Sequence, residues 1–217
     1  MSLVAQIKEV LPMRIACLHT AKIHVATFNA LFAEKALDAQ LLHVVREDLL
    51  AQAQAGGLES VGEALFNAMA ELAEADAILC TCSTLGPLVD QLNNPKAVRV
   101  DRPVMEAAAS VGPKPLLAIC LESTRAGSLE LLMGSGANLT PTVHVCAGPW
   151  AYFEAGDLVG FADSVAASVR GVSAGHNCVV LGQASMRVAE PLLRDLGMPV
   201  LSSPTLAVDK AIGVALS

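Results

Sequence analysis

The sequence repeats itself, and this repeat constrains the fold more than any other feature of the chain. Four short matches keep almost the same spacing: His43 with His144, Cys82 with Gln183 and Pro103 with Pro204, each 101 residues apart, and Cys17-Leu18 with Cys120-Leu121 at 103. One match alone is weak, because segments of the same secondary structure resemble each other in composition. Four matches in the same order indicate an internal repeat. We therefore predict two halves of similar fold.

Short apolar runs alternate with segments of helical periodicity along the whole chain. Eight such runs predict strands, over residues 14–18, 40–45, 77–82, 97–100, 115–121, 142–146, 177–182 and 199–202. Two of the intervening segments, 25–36 and 58–75, place apolar residues at helical spacing. This alternation predicts an α/β fold, in which parallel sheets are flanked by helices. With the repeat, it gives two pseudo-symmetric Rossmann-like halves.

The two halves are predicted to exchange their last segment. We place the first half at residues 1–101 together with 203–217, and the second half at 102–202, because Ser202-Ser203-Pro204 matches the boundary near Pro103. Ligand crevices of open α/β folds lie at the carboxyl ends of the strands. We therefore expect an active-site crevice between the halves, with room for one small ligand.

Composition excludes several classes of function. With a net charge of -7 and 3% aromatic residues, the chain lacks the basic surface and the stacking side chains that bind nucleic acid. No apolar run approaches the ~18 residues of a membrane span. The first residues lack the pattern of a signal peptide, because Lys8 adjoins Glu9, and Pro12 and Arg14 interrupt the apolar stretch. We expect a cytoplasmic protein that binds neither nucleic acid nor membrane.

The six cysteines predict buried, reduced thiols. Most of them lie inside apolar strand-like runs, and none forms a CxxC pair. Cys80 and Cys82 lie two residues apart, but no second pair of ligands with metal-binding spacing accompanies them. We expect no metal site.

Cys82 lies where an apolar strand-like run meets two hydroxyl residues, Ser83 and Thr84, and a Gly-Pro break. A thiol at a strand-to-helix turn faces backbone N–H groups and the positive end of the helix dipole, which favour a thiolate and a nearby carboxylate. The run 178–186 has the same form but carries Gln183 in place of the thiol. One half therefore carries a candidate catalytic thiol, and the other does not.

These features together resemble the aspartate/glutamate racemase superfamily, which includes hydantoin racemases, arylmalonate decarboxylase and maleate isomerase. The motifs are the strand-end Cys82 with Ser83-Thr84, a Leu-Gly-X-Ala-X-Met motif from Leu181, and the Pro-Val-Leu-Ser-Ser-Pro run from Pro199. The resemblance spans nearly the whole chain. It implies an enzyme without metal or organic cofactor, in which two cysteines flank the α-carbon of a small carboxylic acid and exchange its proton. It also implies a homo-oligomer.

The first cysteine of that superfamily corresponds to Cys82, and the hydroxyls beside it to Ser83 and Thr84. The second cysteine corresponds to Gln183, which Ala184 and Ser185 follow as further substrate-binding candidates. Glutamine has no accessible proton to exchange. Symmetric racemisation by two thiols is therefore not supported by this sequence.

Donors for a substrate carboxylate are predicted at the ends of the first strand of each half. Thr20 and the Ser123-Thr124 pair occupy these turns, and preorganised donors at a developing oxyanion are usually the largest stabilising effect. Four titratable residues nearby are further candidates: His19 as a proton carrier, Glu122 as its counterpart, and Lys22 and Arg125 as partners of a substrate carboxylate. His43 and His144 lie inside strand-like runs, where structural imidazoles are expected.

Three hypotheses follow for the function. The first is a cofactor-independent racemase-like enzyme that uses Cys82 for proton transfer at the α-carbon of a small carboxylic acid. The second keeps one thiol and changes the reaction to a decarboxylation, a cis-trans isomerisation or a lyase step on a dicarboxylate. The third is a binding or sensor protein that has kept the crevice and lost turnover, because a fold alone does not fix an activity.

Overall fold

Eight parallel strands form two separate four-stranded sheets. The computed structural model describes residues 12–36 and 38–217, so Lys8 and Glu9 lie outside the described part of the chain. The strands are β1 Arg14–His19, β2 Gln40–Val45, β3 Ala77–Cys80, β4 Ala97–Arg99, β5 Pro115–Ile119, β6 Thr142–Val145, β7 Cys178–Leu181 and β8 Val200–Ser202. The predicted α/β fold with parallel sheets is confirmed.

The two sheets share one topology, which confirms the repeat. Their strand orders are β2-β1-β3-β4 and β6-β5-β7-β8, and every pairing is parallel. β1, β3, β5 and β7 are the central strands, and from the second residue of β1 onward they are buried throughout. Such strands read as continuous apolar runs because helices cover both faces of a parallel sheet.

Backbone hydrogen bonds fix the register of the repeat. The N–H of Thr81 donates to the carbonyl of Leu18 at 2.9 Å, and that of Gly182 to Ala118 at 2.8 Å. β3 therefore matches β7 at an offset of 101 residues, whereas β1 matches β5 at 100. The match between Cys82 and Gln183 is in register.

Two of the four sequence matches are out of register. Leu18 pairs with Val44, whereas Ala118 pairs with His144, so the counterpart of His144 is Val44 and not His43. The two histidines consequently lie on opposite faces of their sheets. Cys17 likewise matches Leu117 and not Cys120. The composition shared by all apolar strands produced both false matches.

Nine α-helices connect and flank these strands in the described ranges. They are α1 Ile23–Lys35, α2 Glu47–Gly56, α3 Gly62–Ala70, α4 Gly86–Gln91, α5 Arg102–Val111, α6 Arg125–Gly134, α7 Pro149–Glu154, α8 Leu158–Arg170 and α9 Ser203–Ala215. Short 3-10 helices cover Leu58–Val61, Ser83–Leu85 and Glu122–Thr124, and a longer one covers Ala184–Leu196. The predicted helix 58–75 is thus a 3-10 turn followed by α3. None of the described helices has the length and apolarity that a membrane span requires.

The helices that follow β4 and β8 cross to the other sheet. On the first sheet, Ala207 and Val208 of α9 lie in one apolar cluster with Ile15 and Leu79. On the second sheet, Val104, Met105 and Ala108 of α5 cluster with Leu117 and Val180. α5 therefore packs on the second sheet and α9 on the first. The division of the chain into residues 1–101 with 203–217 and residues 102–202 stays a prediction.

The halves meet at the turns that follow β3 and β7. The Ser83 hydroxyl donates to the carbonyl of Gly182 at 3.0 Å, and the hydroxyl oxygens of Thr84 and Thr124 lie 3.1 Å apart. A Cβ added to Gly127 of α6 would lie 2.6 Å from Cγ of Pro87 in α4. The interface thus brings the Cys82 turn against the second half.

Candidate active site

A small cavity lies between the halves at the carboxyl ends of β1, β3 and β7. Its volume is about 30 Å³, roughly the share of one water molecule in the liquid. It is lined by Thr20, Ala21, His24, Leu50, Thr81, Cys82, Ser83, Thr84, Leu121, Trp150, Gln183, Ala184 and Ser185. An outer cavity of about 390 Å³ shares Thr20, Ala21, Leu50 and Trp150 with it. The two cavities are therefore adjacent.

Cys82 is buried, with 7% of its surface exposed, and comes directly before the 3-10 helix Ser83–Leu85. Burial raises the pKa of its thiol, and hydrogen bonds from the Thr20 side chain, the Leu85 and Thr84 N–H groups and the Thr84 side chain oppose the rise. The net direction is upward. The N–H groups of the turn act in the predicted direction by favouring the thiolate, but desolvation outweighs them.

Arg99 fixes the turn that carries Cys82. Its guanidinium forms a bidentate ion pair with Asp101, with N–O distances of 2.8 and 2.9 Å, and both side chains are almost fully buried. A Cβ added to Gly86 would lie 2.6 Å from Cζ of Arg99. Gly86 is therefore required by the close approach of the guanidinium, and the Gly-Pro break of the sequence has a packing reason.

Gln183 occupies the place that corresponds to Cys82 and ends in a fixed amide. Its Oε1 accepts hydrogen bonds from the N–H groups of Cys120 at 2.6 Å and Leu121 at 3.0 Å. The amide oxygen thus caps the end of β5. The Nε2 group has no hydrogen-bond partner among the described residues, and the side chain lines the cavity. Gln183 presents two N–H donors and no acid or base.

The thiols of the second half lie outside the cavity lining. The N–H of Arg46 donates to His19 O and that of Cys146 to Ile119 O, so Cys120 is the counterpart of Thr20. The pKa of the Cys146 thiol is lowered, chiefly by its interaction with the Cys120 thiol. All six cysteines are free and buried, as predicted from the sequence.

Five of the predicted binding residues line the cavity beside Cys82 and Gln183, namely Thr20, Ser83, Thr84, Ala184 and Ser185. The hydroxyls of Ser83 and Thr84 are already engaged at the interface between the halves. Ser123 and Thr124 do not line the cavity. They lie behind it, with their hydroxyl oxygens 3.5 and 3.1 Å from that of Thr84.

His19 is fully buried behind the cavity, and both of its ring nitrogens are engaged. Nδ1 lies 2.8 Å from the Thr81 hydroxyl, and Nε2 lies 2.8 Å from Nδ1 of His43. Burial, then His43 and His24, lower the pKa of His19 to about 3. The structure thus leaves neither nitrogen free to serve as a proton carrier in the cavity.

Cys17, His19 and His43 bring their donor atoms within 4.8 Å of one another. The two imidazole rings are inclined by 16°, and their facing nitrogens are 2.8 Å apart. A metal ion with bonds of about 2.0 to 2.1 Å to each nitrogen needs a wider separation in tetrahedral geometry. We assign this contact as a hydrogen bond.

His24 lines the cavity and was not predicted from the sequence. It lies in the first turn of α1 with 8% of its surface exposed, and burial lowers its pKa to about 4. Its ring packs near Phe28 and Phe153, at centroid distances of 6.4 and 6.0 Å. Neither ring nitrogen has a hydrogen-bond partner among the described residues. No sequence motif marks His24, because it lies in α1 and not at the end of a strand.

The predicted charged candidates lie outside the inner cavity. Lys22 is exposed and lines the outer cavity, where Glu47 accepts a hydrogen bond from its backbone N–H at 3.3 Å. Arg125 forms an ion pair with Glu122. α7, Pro149–Glu154, places Trp150 in the lining of the inner cavity.

Comparison with known proteins identifies the fold. No family model matches the chain, and no curated protein matches it in sequence. Among solved structures, the aspartate racemase of Picrophilus torridus is 12% identical, covers 94% of each chain and has a TM-score of 0.74. The allantoin racemase of Klebsiella pneumoniae is 20% identical over 94% of this chain and 88% of its own, with a TM-score of 0.67.

A structure of arylmalonate decarboxylase in a sulfate-associated form is also similar, with 15% identity, a TM-score of 0.61 and coverage of 95% of this chain and 94% of its own. The chain therefore has the fold shared by these racemases and this decarboxylase. The resemblance found in the sequence is confirmed at the level of the fold.

Proposed function

We propose that this chain is a cofactor-independent, racemase-like enzyme that transfers a proton at the α-carbon of a small carboxylic acid, with Cys82 handling the proton. One observation carries the proposal. Cys82 lines a cavity at the carboxyl ends of parallel strands, together with the hydroxyl side chains of Thr20 and Thr84. Ligands of α/β folds bind at this end of the sheet. A buried cysteine with only a packing role would need no such donors.

The cavity also offers donors for the substrate carboxylate. Removal of an α-proton places negative charge on the carboxylate oxygens, and fixed donors stabilise that charge. The Nε2 group of Gln183 and the hydroxyl of Ser185 line the cavity and have no partners among the described residues. The Gln183 amide is held by two backbone N–H groups, so it needs little reorganisation to bind an anion.

Decarboxylation is the second candidate, and a specific observation favours it. Cys82 is a thiol in the closed cavity, and Gln183 carries no exchangeable acid. In this reaction the carbon–carbon bond to one carboxylate breaks, carbon dioxide leaves, and the remaining electron pair takes the proton of the Cys82 thiol on one face. The thiolate then recovers a proton from water.

Incubation in deuterium oxide separates these reactions. A panel of amino acids, hydantoins and disubstituted malonates would be followed by NMR and chiral chromatography. Racemisation gives an α-deuterated product of inverted configuration, whereas decarboxylation gives one labelled enantiomer and carbon dioxide. Cys82→Ser should lower either rate by at least 100-fold while leaving the melting temperature within a few degrees.

A panel member that raises the melting temperature but never exchanges its α-proton or loses carbon dioxide would contradict the enzyme proposal. It would support the non-catalytic binding protein instead. Unchanged turnover in Cys82→Ser would remove Cys82 from the mechanism and leave the fold as the only link to the racemases.

A further inference from the structure

Proton transfer at both faces of an α-carbon needs two groups that can bind and release a proton. Thirteen residues line the inner cavity, and only Cys82 and His24 among them titrate in an accessible range. The Gln183 amide cannot take the place of a missing thiol, and neither Cys120 nor Cys146 lines the cavity. The cavity therefore contains one imidazole whose role the superfamily motifs do not describe.

No hydrogen bond joins Cys82 to His24 among the described residues, although both side chains line the cavity. Neither residue is among the causes that shift the pKa of the other. The two residues therefore do not form a thiolate–imidazolium pair in which the histidine only activates the thiol. The aromatic contact of His24 with Phe153 of α7 places the imidazole against the second half.

The histidines near β1 differ in their freedom to react. His19 and His43 use three of their four ring nitrogens on one another and on Thr81, and the fourth on Asn29. His24 has no such bond among the described residues and keeps both ring nitrogens for a ligand. Its charged neighbours, Lys22, Glu47 and Glu154, line the outer cavity and not the inner one.

We propose that His24 is the second acid–base group of this site and acts on the face of the α-carbon opposite Cys82. This role rests on the proposed function, because it requires a substrate with an α-proton to widen the inner cavity, which is about 30 Å³ in this structure, and to lie between the two side chains. It gives a cysteine–histidine pair where the racemases of the superfamily are expected to use two cysteines.

The proton balance of the step is simple. For one enantiomer, neutral His24 takes the α-proton, and the electron pair of the broken C–H bond moves onto the carboxylate oxygens. The Cys82 thiol then gives its proton to the opposite face, and the new C–H bond leaves a thiolate and an imidazolium. The other enantiomer starts from that pair and runs in reverse. Burial favours the state with a neutral His24 and a Cys82 thiol, because it raises the pKa of Cys82 and lowers that of His24 to about 4.

Enantiomer-selective exchange tests the proposal. Each pure enantiomer of the substrate from the panel would be incubated in deuterium oxide, and loss of the α-proton followed by NMR before racemisation is complete. His24→Asn should lower exchange by at least 100-fold for one enantiomer and by less than 5-fold for the other. Cys82→Ser should show the opposite preference. His144→Asn is the matched control, because the His144 ring is hydrogen-bonded to Ser168 and does not line the cavity. This variant should exchange the α-proton of both enantiomers at the wild-type rate.

A second measurement protects the test against misfolding. His24→Ala leaves space for free imidazole, which should restore exchange of the enantiomer lost in His24→Asn and of no other. Alkylation of Cys82 should keep its pH profile in His24→Asn. Equal loss of both enantiomers, or a shifted alkylation profile, would make His24 a positioning residue and overturn the proposal. If the wild-type protein exchanges the α-proton of no acid in the panel, the proposed function itself fails. This result differs from the equal loss of both enantiomers in His24→Asn, which contradicts only the role of His24.

Discussion

At the scale of residues, the position of Cys82 and its protonation have separate causes. The strand-to-helix turn determines where the thiol lies, and burial determines that it stays protonated, with its pKa raised. The hydroxyl of Thr20 works against burial by donating to the sulfur. A racemase-like site needs both states of the thiol, so this hydroxyl sets how easily the thiolate forms once a ligand opens the cavity.

Replacing Thr20 by Val should shift the alkylation of Cys82 to higher pH, because the thiolate loses a hydrogen bond that lowers its pKa. Thr20→Ser keeps the hydroxyl and is the matched control. The measurement is the rate of iodoacetamide labelling at Cys82 between pH 7 and 10, by peptide mass mapping. Identical profiles for Thr20→Val and the wild type would show that the hydroxyl does not contact the thiolate.

At the scale of elements, a single arginine supports the turn after β3. Gly86→Ala should destabilise the fold by about 1 to 3 kcal/mol, because the added methyl would lie 2.6 Å from the buried Arg99 guanidinium. Gly213→Ala in α9 is the control, because its Cβ would meet nothing within 4 Å and alanine favours a helix by about 0.5 to 1 kcal/mol. Urea unfolding of both variants gives the comparison. Equal stabilities would mean that Arg99 moves aside at no cost.

The Gln183 side chain accepts the backbone hydrogen bonds at the end of β5, and a cysteine at this position would not replace them. Gln183→Cys should lower the free energy of unfolding by about 1 to 3 kcal/mol, because the N–H groups of Cys120 and Leu121 lose their acceptor. Gln183→Glu keeps an acceptor oxygen and should be less destabilised at neutral pH. Thermal and urea unfolding of the three proteins test this, and a fully stable Gln183→Cys would show that water replaces the amide oxygen.

The sequence predicted all eight strands, and the two largest errors at their ends share one cause. β3 and β5 each end two residues earlier than predicted, because the chain turns into a 3-10 helix while its residues are still apolar. Burial on both faces gives an apolar run without a period, so the sequence does not mark where pairing stops. The sequence predicted those site residues that belong to motifs at the ends of strands, such as Cys82 and Gln183. His24 was missed because it comes from a helix and reaches the cavity only through tertiary packing.

At the scale of the whole molecule, buried neutral histidines tie stability to pH. Burial lowers the pKa of His24 to about 4 and of His19 to about 3, against an ordinary value of 6.5 that applies to the unfolded chain. Between these values the unfolded chain binds protons that the native fold does not. Stability therefore rises with pH across this window and is fully present above about pH 7.

Chemical unfolding at pH 7 and pH 5 should show a loss of stability at the lower pH, up to about 1.4 kcal/mol per pH unit for each such histidine. His24→Gln should lower the slope of the unfolding free energy against pH by the amount that corresponds to about one proton bound on unfolding. His176→Gln, between α8 and β7 and away from this cluster of histidines, is the matched control. A wild-type slope of zero between pH 5 and 6 would mean that these imidazoles gain protons in the native state.

The helix that crosses from β8 back to the first sheet has a consequence for synthesis on the ribosome. Residues of β1 and β3 emerge early, yet the α9 side chains that cover Ile15 and Leu79 are among the last described residues to be made. The second sheet and α5 are complete once β8 has emerged. The nascent chain therefore completes the half with Gln183 first. The half with Cys82 holds an apolar sheet face that only α1 covers in part until translation reaches α9.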